Sequence, residues 1–317
     1  MSTDYNVCLA GDERSRNGES PFYDADSNRL IYIDYLAGDI TIYTPSDNKT
    51  ERIHVYDGWL SFAIPVEGQP NKILVAIGTN KLATFDLDAK SLHIIKEFDL
   101  NGRIFHDGKC DAKGRLWVGG APVQSGNKFG SGIGHIYRFD GESLDVMDEG
   151  LATPNGLTWS NDNKRLFFAE SLRGVWSFDF DLESGTITNK KLFIDLNSVV
   201  GFKKCDSNFL NGDFVDGITI DSEDNLWMAS YGSSKICKFD TINGQLLETI
   251  ELPVKTVTSL CFGGDDWSKI YVTTYWDVSW ITDTKPFDDD DQYGKLYRVS
   301  SDQRQLKGIP MFRWRSK

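Results

Sequence analysis

No uninterrupted apolar run of 18 residues occurs in this sequence, so no membrane-crossing helix is expected. The first residues, MSTDYNVCLAGDERSRNG, lack a basic stretch followed by an apolar one, and no secretory signal is expected. Positive charge is in deficit. Against 47 Asp and Glu stand 34 Lys and Arg, a net charge of −13, the reverse of the basic footprint that nucleic-acid binding needs. The five cysteines (Cys8, Cys110, Cys205, Cys237, Cys261) are odd in number and form no C-x-x-C pair. That pattern argues against a disulfide frame or a zinc site and fits reduced thiols in a cytoplasmic protein. Sustained 3.6-residue periodicity with capping signals is also missing, so little helix is expected. Histidine is scarce, with four in 317 residues (His54, His93, His106, His135), so one that falls among other polar groups is informative.

What the chain does have is aromatics at 13%, 29 glycines and short β-rich runs bounded by turn residues. One layout recurs: a polar residue, a D-x-x-G/N-like turn, then an apolar pair opening a strand. It is seen at Asp24–Tyr32, Asp111–Val118, Ser160–Phe167 and Asp221–Trp227. Strand pairs follow at 30–45, 72–88, 115–141, 165–181, 225–241 and 269–300, with alike endings such as LATFDLD, VWSFDFD and ICKFDT. Six sets at this period predict an all-β fold, a six-bladed β-propeller of about four strands per blade. The whole chain, residues 1–317, is expected to form this one domain, with N-terminal residues completing the last blade.

Loops leading into the innermost strand of each blade converge on the central channel, so residues there can meet although far apart in sequence. Glu19 precedes blade one in N-G-E-S-P, Asn155 precedes blade four in T-P-N-G-L, and Asp216 precedes blade five in V-D-G-I. N-G and D-G pairs are also ordinary turn signals. In equivalent positions, however, two carboxylates and an amide oxygen make a hard-oxygen site for a divalent cation in the channel. The corresponding stretch of the third blade is Arg103-Ile-Phe-His106-Asp107-Gly-Lys.

These residues resemble a known family. N-G-E-S-P, T-P-N-G-L-T-W-S, V-D-G-I-T-I-D-x-E-x-N-L-W-M-A and VTSLCFGGDDWSKIYVTT look like signatures of the senescence marker protein (regucalcin), gluconolactonase and luciferin-regenerating enzyme family. The resemblance covers nearly the whole chain. It implies a six-bladed propeller holding one divalent cation, Ca²⁺ in the family, with Glu19, Asn155 and Asp216 as ligands and Asp216 also as general base. One departure stands out. Where the family reads R-x-N-D-G-K, this chain has His106 in place of Asn, with Arg103 one residue further upstream. Glu170-Ser171 stands where Asp-Ser is usual.

A neutral imidazole suits Zn²⁺ or Mn²⁺ better than Ca²⁺, so His106 is a further candidate ligand. It is equally a candidate general base, because histidine side chains titrate near neutrality. The resulting expectation is a metal-dependent hydrolase of a small cyclic ester. Asp216 or His106 activates water, Arg103 and Asp107 hold substrate, and Tyr231, Trp276 and Phe129 line the pocket. Two alternatives stay open: an enzyme of another class using the same cation, and a non-enzymatic Ca²⁺-binding protein. The expected partner is a small molecule, with no nucleic acid and no membrane, acting on a monomer or homodimer. The insert 196–215 and the loop 278–293 are long for a compact fold and are expected to be functional or mobile, the latter's Asp288–Asp291 run being solvated.

Overall fold

The strand pairs legible in the sequence are buried on both faces. Ile31 and Ile33 pack toward the neighbouring blade two, while Leu30 and Tyr32, one residue out of phase, pack toward blade six. This period-two division explains why such strands read as near-continuous apolar runs. In the computed structural model, which describes residues 4–122, 132–203, 212–280 and 285–316, they are the second and third strands of six four-stranded antiparallel sheets. In the first sheet the order is Gly18–Asp24, Arg29–Asp34, Asp39–Thr44, Lys49–His54. The following four sheets repeat that sequential order, and the sixth takes Asn6–Leu9 as its outer strand, paired with Tyr297–Ser300.

The six first strands are Gly18–Asp24, Leu60–Val66, Arg103–Cys110, Pro154–Trp159, Phe214–Ile220 and Val257–Gly263. Each touches the first strand of the next sheet, and the last touches the first, so they form a closed ring around a channel. Six apolar clusters fill the six interfaces between blades. Among the described residues the helical content is two single 3₁₀ turns, and no helix is long and apolar enough to cross a membrane.

The recurring turn layout has a structural cause. Asp111 Oδ1 accepts the Lys113 and Arg115 backbone N–H groups (2.9 and 3.1 Å), and Oδ2 accepts the Trp117 indole N–H (3.0 Å). Asp221 does the same for Glu223, Asn225 and Trp227 at 3.0, 2.8 and 2.9 Å. The fourth turn residue, Gly114 or Asp224, has φ of 77° or 65°, the left-handed region that Gly, Asn and Asp tolerate. A buried carboxylate thus fastens the end of each such inner strand to the strand that follows.

On that same far side, the C-terminal segment crosses the channel. Gly308 bridges Asp221, Phe312 bridges Cys110, and Trp314 bridges Val66. Arg313 pairs with Asp24 and Asp26, and Arg315 with Glu67. Blades one, two, three and five are tied together by one strap.

Candidate active site in the channel

Each inner strand carries a register break near its starting end. In blades one, three, four and five, two residues stand opposite one: 20–21, 106–107, 155–156 and 216–217. Such bulges re-aim side chains that a flat strand would alternate. The site residues are therefore inside the first strands, not in loops ahead of them as the sequence implies. Nor are Asn155-Gly156 and Asp216-Gly217 turns. A Cβ on Gly156 would meet the Ile218 nitrogen at 2.5 Å, and one on Gly217 the Ser259 Oγ at 2.1 Å. These glycines let adjacent inner strands touch. Gly156→Ala, facing backbone, is expected to cost about 3 kcal/mol, read as a lower urea midpoint. An unchanged midpoint would mean the strands part freely.

The bulges of blades two and six carry hydroxyls. Ser61 Oγ donates to the Phe105 carbonyl (2.7 Å), next to His106, and Thr258 Oγ1 donates to the Gly18 carbonyl (2.6 Å), next to Glu19. Both brace the backbone from which a site residue projects.

Ligand-type oxygens of Glu19, Asp107 and Asp216 lie within 4.8 Å of one another, all on largely buried side chains. Burial pushes all three carboxyls above their ordinary range, and their mutual repulsion adds to it at Glu19 and Asp216. The Asn155 amide eases the shift at Asp216, and His106 and Lys109 ease it at Asp107. Asn155 Nδ2 donates to Ser171 Oγ (3.0 Å), while its buried Oδ1 has no hydrogen-bond partner. Lys109 is buried just below and donates to the Ile218 carbonyl (2.6 Å). Burial brings its ammonium down to about 8, against the pull of Asp107. One ammonium cannot balance three carboxylates, whereas an ammonium and a divalent cation together can. The orphaned amide oxygen and the unbalanced carboxylates are what a cation site requires, and the residues present fit one.

The other sequence candidates fall as follows. Asp107, expected to touch substrate, sits with the two carboxylates. His106, expected as a possible ligand, stands at the edge of the cluster, its Nδ1 3.7 Å from Asp107 Oδ1 and its ring edge-on to Tyr35. Arg103 donates to the carbonyls of Leu100 (2.9 Å), Asn101 (3.4 Å) and Ile133. Glu170 is occupied by the Ala152 N–H and the Trp176 indole, at 2.8 and 2.6 Å. Tyr231 stacks between Phe214 and Tyr275, whereas Trp276 lies under Arg14. Phe129, Cys205 and residues 204–211 of the insert lie outside the described residues. The Asp288–Asp291 side chains are exposed, and Arg14 holds that loop through its backbone carbonyls. Sequence reasoning assigned nothing to Lys109, Tyr35 or Tyr275. Only Lys109 carried a signal, as the last residue of the H-D-G-K run.

Fold and geometry define a six-bladed propeller with a buried carboxylate cluster in its channel. The chain belongs to the SMP-30/Gluconolactonase/LRE-like region family, which it matches over residues 17–275. It is 29% identical to regucalcin of Bos taurus, over 95% of each chain, and 28% identical to the putative sugar lactone lactonase YvrE of Bacillus subtilis, over 85% of this chain and 87% of that one. A solved luciferin-regenerating enzyme superposes with a TM-score of 0.85 at 26% identity, over 98% of this chain and 99% of the other.

Proposed function

We propose that this protein hydrolyses a lactone in the mouth of its channel, with one divalent cation held by Glu19, Asn155 and Asp216, and with Asp107 beside them. The observation that carries the reading is the set of three buried carboxylates beside an unpartnered amide oxygen, in a family whose relatives include a putative lactonase. When bound, the cation would supply Lewis acidity, polarising the lactone carbonyl. The donor atoms are all oxygen, which favours Ca²⁺, Mg²⁺ or Mn²⁺ over Zn²⁺. His106 then serves at the edge, within reach of substrate rather than as a ligand.

Asp216 takes the proton from the attacking water as the water oxygen bonds to the carbonyl carbon. When the ring C–O bond breaks, Asp216 returns that proton to the leaving oxygen, and a hydroxy acid results. Ser61 and Thr258 fix the strands that aim the carboxylates, so little reorganisation is needed during the reaction. The described cysteines Cys8, Cys110, Cys237 and Cys261 are free, which supports a reducing, cytoplasmic setting.

The test is ring opening followed by acid release, before and after EDTA dialysis, with Ca²⁺, Mg²⁺, Mn²⁺ or Zn²⁺ restored singly. Loss of activity on dialysis and recovery with about one equivalent of cation is the expected result. Full activity in protein shown by elemental analysis to be metal-free would overturn the metal assignment. Inactivity on every lactone with every cation would overturn the reaction.

A further inference from the structure

The first strands are the inner edges of their sheets, and an edge strand presents backbone groups with no ladder partner on its open side. One such carbonyl is claimed by a side chain from elsewhere in the ring. Lys109, in the first strand of blade three, donates its ammonium N–H to the Ile218 carbonyl in the first strand of blade five (2.6 Å). Between those two strands in the ring lies the first strand of blade four, which touches both. Lys109 therefore spans the channel past an intervening blade. It runs along the pocket that it lines with Thr158, Thr219 and Ser259.

Each end of the span lies two residues from a site carboxylate, Asp107 before Lys109 and Asp216 before Ile218. Both strands regain regular pairing just past their bulges, with Gly108 opposite Val118 and Ile218 opposite Met228. The span is thus anchored in regular backbone immediately beyond the irregular stretches that carry Asp107 and Asp216. Bulged strands bend, so joining two of them at this level limits how far their carboxylates move relative to each other. Neutralising the cluster needs only a nearby ammonium. The bond to a backbone carbonyl adds a mechanical link that charge alone does not require.

We propose that Lys109 is a positioning residue, a cross-channel tie that holds the separation of Asp107 and Asp216 and so sets which divalent cation the cluster accepts. This rests on the cation reading above and deepens it. Mg²⁺ needs its oxygens drawn in to about 2.1 Å in near-ideal octahedral order, whereas Ca²⁺ accepts about 2.4 Å in adaptable geometry. Tied strands resist the contraction, so the larger ion is favoured.

Calorimetric titration of EDTA-stripped protein with Ca²⁺ alone and with Mg²⁺ alone gives two dissociation constants, and their ratio separates the tie from the charge. Both ions are divalent, so losing the ammonium's repulsion should tighten both alike, and only a change of spacing alters the ratio. In the wild type, Kd for Mg²⁺ is expected to be at least tenfold above that for Ca²⁺. Lys109→Met, replacing a side chain that borders a pocket, and Lys109→Gln, too short to reach Ile218, should each cut that ratio at least fivefold. Lys109→Arg, which keeps donor and charge, should hold it within twofold. An unchanged ratio in the Met and Gln variants, or no preference for Ca²⁺ in the wild type, would overturn the proposal and leave the lactonase reading and its cation intact. If the wild type binds neither ion, the cation reading and the selectivity fall together, and hydrogen exchange in EDTA decides the tie. Phe214–Ile220 should then exchange at least tenfold faster in Lys109→Met than in wild type, with Lys49–His54 unchanged. Equal exchange over Phe214–Ile220 would sink it.

Discussion

Asp216→Asn is expected to lower kcat/KM for lactone opening by about a thousandfold or more, the range that losing a positioned proton carrier produces. The substitution keeps the shape and one oxygen of the side chain but removes its basicity. The loss should therefore fall on kcat, with KM little changed. The residue stands in the bulge of blade five, with Gly217 directly behind it against Ser259, so it has little freedom to be replaced by a neighbour. Glu19→Gln is the useful contrast. It sits in the same cluster but carries no proton in the proposed reaction, so excess cation should recover much of its activity. Retention of a tenth or more of the wild-type kcat by Asp216→Asn would remove that residue from the chemistry.

A second large effect concerns stability and pH. Unfolded carboxyls titrate near 4, and burial raises Glu19, Asp107 and Asp216 above that in the folded protein, with repulsion adding to it at Glu19 and Asp216. Between the unfolded and folded values the native state binds more protons than the unfolded chain. Stability from these groups is therefore complete below about pH 4 and is lost as pH climbs through the folded values. In EDTA the melting temperature should accordingly fall over the pH range above 4. At neutral pH, cation at a thousand times its Kd adds about 4 kcal/mol, or roughly 10 °C for a chain of this size. Glu19→Gln should reverse sign with conditions, melting higher than wild type in EDTA by relief of repulsion and lower in excess cation. The same ordering of the two proteins in both buffers would show that the carboxylates do not repel each other as the geometry requires.

Much of the architecture was readable from sequence because the second and third strands of each sheet bury both faces and end in a fixed turn. Leu30-Ile31-Tyr32-Ile33 announces itself, and Asp24, Asp111 and Asp221 mark where each such pair begins. The innermost strands did not. A bulge disrupts their alternation, and Glu19-Ser20-Pro21, Asn155-Gly156 and Asp216-Gly217 imitate turns, so these strands looked like loops. The same irregularity hid the place of Asp107. In a regular strand it would face away from whatever His106 faces, but in the bulge both reach the channel. The exposed outer strands, such as Lys49–His54, bury too little to show a pattern. Tyr35 and Tyr275 follow their strands with no local signal at all. Their contacts, Tyr35 with His106 and Tyr275 with Tyr231, depend on which blades become neighbours, and periodicity does not encode that.

The C-terminal strap has a kinetic consequence. Between it and the carboxylates lies a pocket lined by Lys109, Thr158, Thr219, Ser259 and Met311, with the strap lying across that end of the channel. With the strap across that end, substrate and product are expected to share the opposite doorway. A ring-opened acid lingering there excludes the next molecule. Accumulating product should therefore slow turnover as a competitive inhibitor, and the slope of its inhibition should vanish at high substrate.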